Sequence, residues 1–201
     1  MSADKFIKQR SAPVDPFDPE KYIDAFYSNV AWHNDAEDSM KFFQDCLLEA
    51  FKEGTGLMSM EERQDLLREK VRNIVFCDIT QPNPTASTVV DGVTFDAITC
   101  SNCLEVASFT LDDYAQSVRN ICTLLKPGGY FVLEGCLEIS FYRLGDQLYE
   151  CYPIKENDLQ DIVQKAGLEI ISMKVLNYTP RPEEYYYTDC ESVFAIVARK
   201  V

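Results

Sequence analysis

The feature that most constrains the fold is a strand–helix–strand pattern in the second half of the chain. An apolar run over 95–100 predicts the first strand, and Thr110 is a residue type that begins helices. Gly128 and Gly129 are predicted to end that helix, and 130–136 is predicted as the second strand. A strand, a helix and a second strand at this spacing are typical of a parallel sheet in an α/β protein.

Hydrophobic periodicity predicts further elements on both sides of this unit. Helices are expected near 20–27, 36–52, 59–69 and 156–166, and strands at 71–79, 170–176 and 193–197. Residues 1–16 are polar and rich in proline, which predicts a flexible N-terminal arm. Residues 17–201 are then expected to form a single domain.

Charge and composition narrow the classes of partner. The chain has 33 acidic and 19 basic residues, which give a net charge of −14. Nucleic acids and anionic membranes attract basic surfaces, so neither is expected as a partner. An acidic surface suits a cationic amine, although solubility alone is the simpler explanation. The sequence contains neither an apolar run of ~20 residues nor a signal peptide, so a cytoplasmic location is expected.

The cysteines and the histidine give little support to metal or redox chemistry. Eight cysteines in a chain without a signal peptide are expected to be reduced thiols. Cys100 and Cys103 form a CxxC pair, but no second pair follows at zinc spacing, so neither zinc nor a redox role is expected. His33 is the single histidine, which excludes a histidine-rich metal site.

Several stretches of the sequence resemble one family of enzymes. They are Phe17–Tyr22 with Phe26–Ser28, Cys77–Thr80, Cys103–Glu105 with Leu124–Gly129, and Ser140–Tyr142 with Val197–Lys200. Together they are similar to the S-adenosylmethionine-dependent small-molecule methyltransferases that include the nicotinamide, phenylethanolamine and indolethylamine N-methyltransferases. The resemblance covers about 15–55 and 70–201. It implies an α/β fold with a Rossmann-like class I methyltransferase sheet, flanking helices and an N-terminal helical cap.

The sequence departs from this family where the cofactor loop is expected. In the family, the second helix is followed by a strand that ends in a glycine-rich loop, and then by a strand that ends in an acidic residue. Here Phe51–Gly56 continues directly into Leu57–Ser59, and its two glycines follow a helix rather than a strand. The comparison implies an internal deletion near 54–58 and an incomplete sheet, as a shortened isoform would have.

The resemblance also implies a cofactor, S-adenosylmethionine, and a set of functional residues. Positions that match cofactor contacts are Tyr22, Tyr27, Asp78, Ile79 and Ser101. Positions that match substrate contacts are Phe26, Asn102, Tyr142 and Asp189. Glu105 and Glu138 match catalytic acids that hold a cationic amine and accept its proton. Each has a plainer alternative, since the aromatic residues could dock a helix, Asp78 could cap a turn and the acids could be solvated.

Two functions from different classes follow from these features. The resemblance implies methyl transfer to a small amine, with cofactor binding weakened or lost at the deletion. The alternative is a catalytically silent methyltransferase-like protein that pairs with a full-length relative, and a sheet too incomplete to fold is a third interpretation. Gly135 and Ile139 occupy positions where nicotinamide-specific members have polar contacts, which favours an arylalkylamine as the substrate.

Overall fold

The computed structural model of the chain describes residues 6–7, 69, 71–144, 147–177 and 187–201. The helices predicted over 20–27, 36–52 and 59–69 fall almost entirely outside these residues. The predicted N-terminal cap, and with it Tyr22, Phe26 and Tyr27, therefore lies outside the described part of the chain.

Apart from a short strand near the N-terminus, the strands and helices of the described residues lie in the second half of the chain. In chain order they are β1 (Phe6–Ile7), β2 (Phe95–Ser101), α1 (Leu104–Ala107), α2 (Leu111–Thr123), β3 (Leu125–Leu137), β4 (Phe141–Leu144), β5 (Gln147–Glu150), α3 (Glu156–Lys165), β6 (Leu168–Asn177) and β7 (Ser192–Lys200). The strands predicted at 95–100, 130–136, 170–176 and 193–197 and the helix predicted at 156–166 are confirmed.

The larger sheet has four strands in the order β2-β3-β7-β6. Strands β2 and β3 are parallel and are connected through α2, whereas β7 runs antiparallel to both of its neighbours. A parallel pair needs a helical crossover, and the antiparallel pair β6–β7 does not. The predicted α/β fold class is therefore confirmed in a mixed sheet with flanking helices.

Helix α2 begins as the sequence predicts. The Thr110 hydroxyl accepts a hydrogen bond from the Asp113 amide at 3.1 Å, and the Asp113 carboxylate accepts one from the Phe109 amide at 3.3 Å. These bonds satisfy amide groups that the first turn of a helix leaves without partners. The buried side of the helix carries Tyr114, Val118 and Ile121, which belong to the main core.

The prediction that Gly128 and Gly129 end this helix is wrong. The helix ends at Thr123, and β3 starts two residues later because Leu125 already pairs with Phe95 of β2. The next pair in the register is Ala97 with Tyr130, so the glycines form a bulge inside the strand. Gly128 has φ +77°, and a Cβ on Gly129 would lie 2.9 Å from a backbone oxygen, so the bulge requires both glycines.

The strand predicted over 71–79 is also wrong. Residues 71–78 have no regular secondary structure, and Ile74 and Phe76 are 96% and 79% exposed. The segment ends in a turn in which the Asp78 amide donates to the Pro84 carbonyl at 2.9 Å. An apolar run forms a strand only where a neighbouring strand pairs with its backbone, and the described residues supply none here.

A smaller sheet, in the order β1-β5-β4, was not predicted from the sequence. Strands β4 and β5 pair antiparallel from Leu144 with Gln147 to Phe141 with Glu150. The dipeptide Gly145-Asp146 in the sequence between them is a hairpin signal that could have revealed the pair. No helix within the described residues is long and apolar enough to cross a membrane.

Candidate functional site

The carboxyl ends of β2 and β3 lie side by side, because the two strands are parallel and adjacent. Ser101 is the last residue of β2, and Asn102 follows it with φ +45°. The backbone N–H of Asn102 donates a hydrogen bond to the Glu134 carbonyl of β3 at 3.0 Å. Both Ser101 and Asn102 are exposed. In open α/β sheets this edge is where ligands bind, so both predicted residues occupy a suitable position.

An open pocket of about 330 Å³ lies beyond the end of β3. Its lining residues are Leu137, Glu138, Asn177, Asp189, Glu191 and Ser192. Two predicted residues, Glu138 and Asp189, thus meet in one pocket although they are far apart in the sequence. Glu191 was missed, and its position two residues after Asp189 is the sequence signal that could have found it. The three carboxylates make this pocket a suitable environment for a cation.

Backbone hydrogen bonds fix both predicted acids in this pocket. Glu138 has φ +54° and donates its amide to the Ile154 carbonyl at 2.9 Å. Asp189 accepts a hydrogen bond from the Ser140 amide at 2.9 Å and a second from the Ser140 hydroxyl. The Asp189 carboxylate therefore holds the turn that follows β3 as well as lining the pocket.

Glu105 lies inside the protein rather than in the pocket. It is 2% exposed, and its Oε1 accepts a hydrogen bond from the Cys136 amide of β3 at 2.8 Å. Its Oε2 has no hydrogen-bond partner among the described residues. Burial raises the pKa of this carboxyl to about 7, with a smaller contribution from the negative charge of Glu134.

Gly135 makes room for the Glu105 side chain. A Cβ on Gly135 would overlap the Glu105 carboxyl group and would lie 3.1 Å from the Phe194 ring. The glycine therefore allows α1 to place a carboxyl group directly against β3. This close approach links the end of β3 to the helix that follows Ser101 and Asn102.

Asp78 and Ile79 lie in a turn rather than at the end of a strand. The Asp78 Oδ1 accepts hydrogen bonds from the Thr80 amide at 3.0 Å and the Thr80 hydroxyl at 2.7 Å. The Ile79 carbonyl accepts a bond from the Asn120 side chain of α2 at 2.9 Å, and the Ile79 side chain packs against the main core. Asp78 thus adopts the turn-capping arrangement that the sequence left open as an alternative.

Tyr142 is half-buried on the smaller sheet. Its ring stacks on Tyr149 with 5.0 Å between the ring centroids, and its backbone forms an isolated bridge with Thr188. Thr188 directly precedes Asp189, so Tyr142 is connected to the pocket through the backbone. Within the described residues, no group of three histidine, cysteine or acidic side chains is arranged to hold a metal ion.

Comparison with known proteins identifies the family. The model of the NNMT/PNMT/TEMT family matches residues 52–201. The nicotinamide N-methyltransferase of Homo sapiens is 30% identical over 142 residues, which are 70% of this chain and 51% of that protein. The indolethylamine N-methyltransferase of Oryctolagus cuniculus is 29% identical over 70% of this chain and 51% of its own length. The chain belongs to the NNMT/PNMT/TEMT family, and it spans about half the length of the curated relatives that it matches.

Solved structures of methyltransferases also match the chain. A 1,6-didemethyltoxoflavin-N1-methyltransferase from Burkholderia thailandensis matches with a TM-score of 0.45 and 18% identity, over 94% of this chain and 92% of that one. An S-adenosylmethionine-dependent methyltransferase from Clostridium acetobutylicum also gives 0.45, with 16% identity, over 71% and 72% of the two chains.

Proposed function

We propose that this chain is an S-adenosylmethionine-dependent N-methyltransferase of small cationic amines, with the pocket beyond β3 as its amine site. The observation that carries the proposal is the grouping of Glu138, Asp189 and Glu191 around one open pocket. Carboxylates attract a protonated amine and can accept its proton, which leaves a lone pair on the nitrogen for methyl transfer. Members of the family are named for nicotinamide, indolethylamine and phenylethanolamine methylation, which supports the reaction class.

Residues at the ends of β2 and of the 71–78 segment fit the adenine half of the cofactor. Asp78 is half-buried and carries a carboxylate that suits an exocyclic amino group, and the adjacent Ile79 offers an apolar surface to a flat ring. Ser101 presents a hydroxyl at the sheet edge where ligands bind in this fold. The cofactor, when bound, supplies an electrophilic methyl group on a sulfonium, so the protein mainly has to align the amine with it.

The remaining predicted residues are assigned to the amine side. We assign Glu138 to the amine itself, because it lines the pocket. The carboxylate of Asp189, by contrast, holds the turn after β3 through its bond from the Ser140 amide. Glu105 is proposed to act from beneath the site, where its bond to the Cys136 amide keeps β3 and α1 together. Asn102 and Tyr142 are proposed to contact the aromatic part of the substrate, together with Phe26.

A methyl-transfer assay with matched variants tests this proposal. Indolethylamine and phenylethanolamine are offered with S-adenosylmethionine, and the methylated amines are measured by mass spectrometry, with nicotinamide as a neutral comparison. Glu138→Gln is expected to lower kcat/KM for the two amines by on the order of 100-fold. Asp161→Asn removes one carboxylate from the exposed face of α3 and is expected to leave the rate unchanged. Equal rates in the two variants would contradict the assignment of Glu138.

One set of observations favours the alternative of a catalytically silent relative. The sequence lacks a glycine-rich turn after a strand, and the Asp78 carboxylate is used within its own turn. A chain that spans half of its relatives could instead pair with a full-length relative. Light scattering of an equimolar mixture with such a relative measures this directly, and a stable mixed complex without methyl transfer would favour the silent protein.

A further inference from the structure

Residues 71–77 expose apolar side chains that a folded protein usually buries. Ile74 is 96% exposed and Phe76 is 79% exposed. Among the described residues, nine large apolar side chains are exposed, and five of them lie within 71–94: Val71, Ile74, Phe76, Val89 and Val93. A concentration of this kind is typical of a surface that contacts another protein.

The outer side of β2 offers backbone groups to an incoming strand. Within the described residues β2 pairs with β3 alone, so it forms one edge of the four-stranded sheet. The Asn102 N–H donates to the Glu134 carbonyl of β3, and successive N–H groups alternate between the two sides of a strand. The N–H groups of Thr99 and Ser101 therefore point away from β3, and both residues are exposed. An edge of this kind is a template for pairing with another chain.

The apolar spacing in 71–77 matches the spacing in β2. Side chains two residues apart lie on the same face of a strand. In β2 this relation holds for Ile98 and Cys100, which both contact the main core. In the exposed segment it holds for Ile74 and Phe76. A strand formed by 71–77 beside β2 would therefore extend the core-facing apolar row of the sheet.

Charge selects the direction in which the two strands pair. A parallel alignment that places Ile74 beside Ile98 also places Arg72 beside Asp96. The side chain of Asp96 is 88% exposed, and the Arg72 residue is also exposed. Opposite charges on adjacent strands attract each other. The antiparallel alignment would instead place Arg72 beside Cys100, so the parallel one is favoured.

We propose that two copies of this chain associate by strand exchange, with 71–77 of each copy added parallel to β2 of the other. Within one copy the segment does not pair with β2, because residues 71–78 have no regular secondary structure. A second copy carries both the exposed segment and the complementary edge. Reciprocal exchange uses each surface once per copy and closes the assembly as a dimer. The proposal concerns association alone and does not depend on methyl transfer.

The contact between the copies is small, so the dimer is expected to be weak. Two short strand pairs bury less surface than the interfaces of stable complexes, which corresponds to a dissociation constant on the order of 10 μM. At the lower concentrations used for optical unfolding, the single chain is expected to predominate and Phe76 to stay exposed.

Light scattering of the full chain after size-exclusion chromatography tests the association. A reductant is present, because Cys77 and Cys103 are exposed thiols. The mass of the parent is expected to rise toward that of two chains with concentration and to fall again on dilution. A parent that stays a single chain at every concentration would overturn the proposal.

A matched pair of variants tests the exposed segment. Ile74→Asp places a charge in the apolar row of the docked strand and is expected to weaken association by more than about tenfold. Val89→Asp changes another exposed β-branched residue, outside 71–77, and is expected to associate like the parent. Both side chains are exposed in the single chain, so both variants are expected to fold. Equal association of the two variants would contradict the role of 71–77.

Hydrogen exchange at two concentrations tests the β2 side of the contact. The amides of Thr99 and Ser101 are expected to exchange more slowly in the dimer, whereas Cys100 and Asn102, whose N–H groups face β3, are expected to stay unchanged. A dimer without slower exchange at Thr99 and Ser101 would overturn the proposal, because another surface would then join the copies. Slow exchange at these amides in the single chain would also overturn it, because the chain itself would then cover the edge.

Discussion

The segment 71–94 and the four-stranded sheet both contain apolar runs, yet only the sheet forms regular structure. Ile74, Phe76 and Val89 are exposed, whereas Phe131 and Ile196 of the sheet are completely buried. The difference is the presence of neighbouring strands, since β3 has β2 on one side and β7 on the other. An apolar sequence is thus not sufficient for a strand in this protein, because the backbone also needs a partner.

Matched phenylalanine substitutions give the largest contrast between the two regions. Phe131→Ala leaves a cavity in the sheet core and is expected to lower the free energy of unfolding by about 3–5 kcal/mol. Phe76→Ala removes a ring that is 79% exposed and is expected to change it by less than about 0.5 kcal/mol. Urea unfolding of the two variants measures both values. Equal losses would show that 71–94 is packed as tightly as the sheet.

The buried carboxyl of Glu105 predicts how the stability of the sheet region depends on pH. Burial raises its folded pKa from 4.5 to about 7, so the folded protein keeps a proton that the unfolded chain releases between these values. Stability is therefore lost as the pH rises from 4.5 to 7, by about 3 kcal/mol in total from this group.

Glu105→Gln isolates this contribution. The variant is expected to flatten the fall in stability between pH 4.5 and 7, when unfolding is measured at several pH values. Asp161→Asn, which removes an exposed carboxylate of α3, serves as the control and is expected to keep the slope of the parent. A parent slope that persists in Glu105→Gln would mean that another group causes it.

The Asn120 side chain connects the irregular segment to the sheet region, and its removal has a smaller expected effect. Asn120 is 2% exposed on α2, and its amide group donates to the Ile79 carbonyl at 2.9 Å. Asn120→Ala is expected to cost about 1–2 kcal/mol, because it leaves a half-buried carbonyl without this donor. Hydrogen exchange is expected to quicken at the amides of Asp78 and Gln81, which are bonded within the adjoining turn, and to stay unchanged in β3.

The sheet and α2 were predictable because their apolar patterns and their helix-capping residues indicate the same elements. Apolar runs indicate the strands at 95–100 and 130–136, and Thr110 indicates the start of α2, where its hydroxyl accepts a hydrogen bond from the Asp113 amide. The bulge at Gly128 and Gly129 was not predictable, because glycine pairs end helices as readily as they shape strands. The segment 71–79 failed for a different reason, since local sequence does not reveal whether a partner strand lies beside it.

The candidate site was predictable only in part. Glu138 and Asp189 share a pocket, as the sequence analysis allowed. The burial of Glu105 depends on the space that Gly135 leaves for its carboxyl group. This contact between α1 and β3 cannot be read from the spacing of residues along the chain. Hydrophobic periodicity predicts which residues share one face of a helix or strand. It does not predict which residues of two different elements contact each other, because that depends on how the elements pack.

The most direct test of the proposed function is S-adenosylmethionine binding, measured by calorimetry on folded protein together with Asp78→Ala and Thr80→Ala. Both variants lose the 2.7 Å bond of the turn, but only the first loses the carboxylate. The proposed function predicts micromolar binding (on the order of −8 kcal/mol) that survives in Thr80→Ala and is lost in Asp78→Ala. No binding by the folded parent protein would contradict it and leave a methyltransferase-like protein without catalysis.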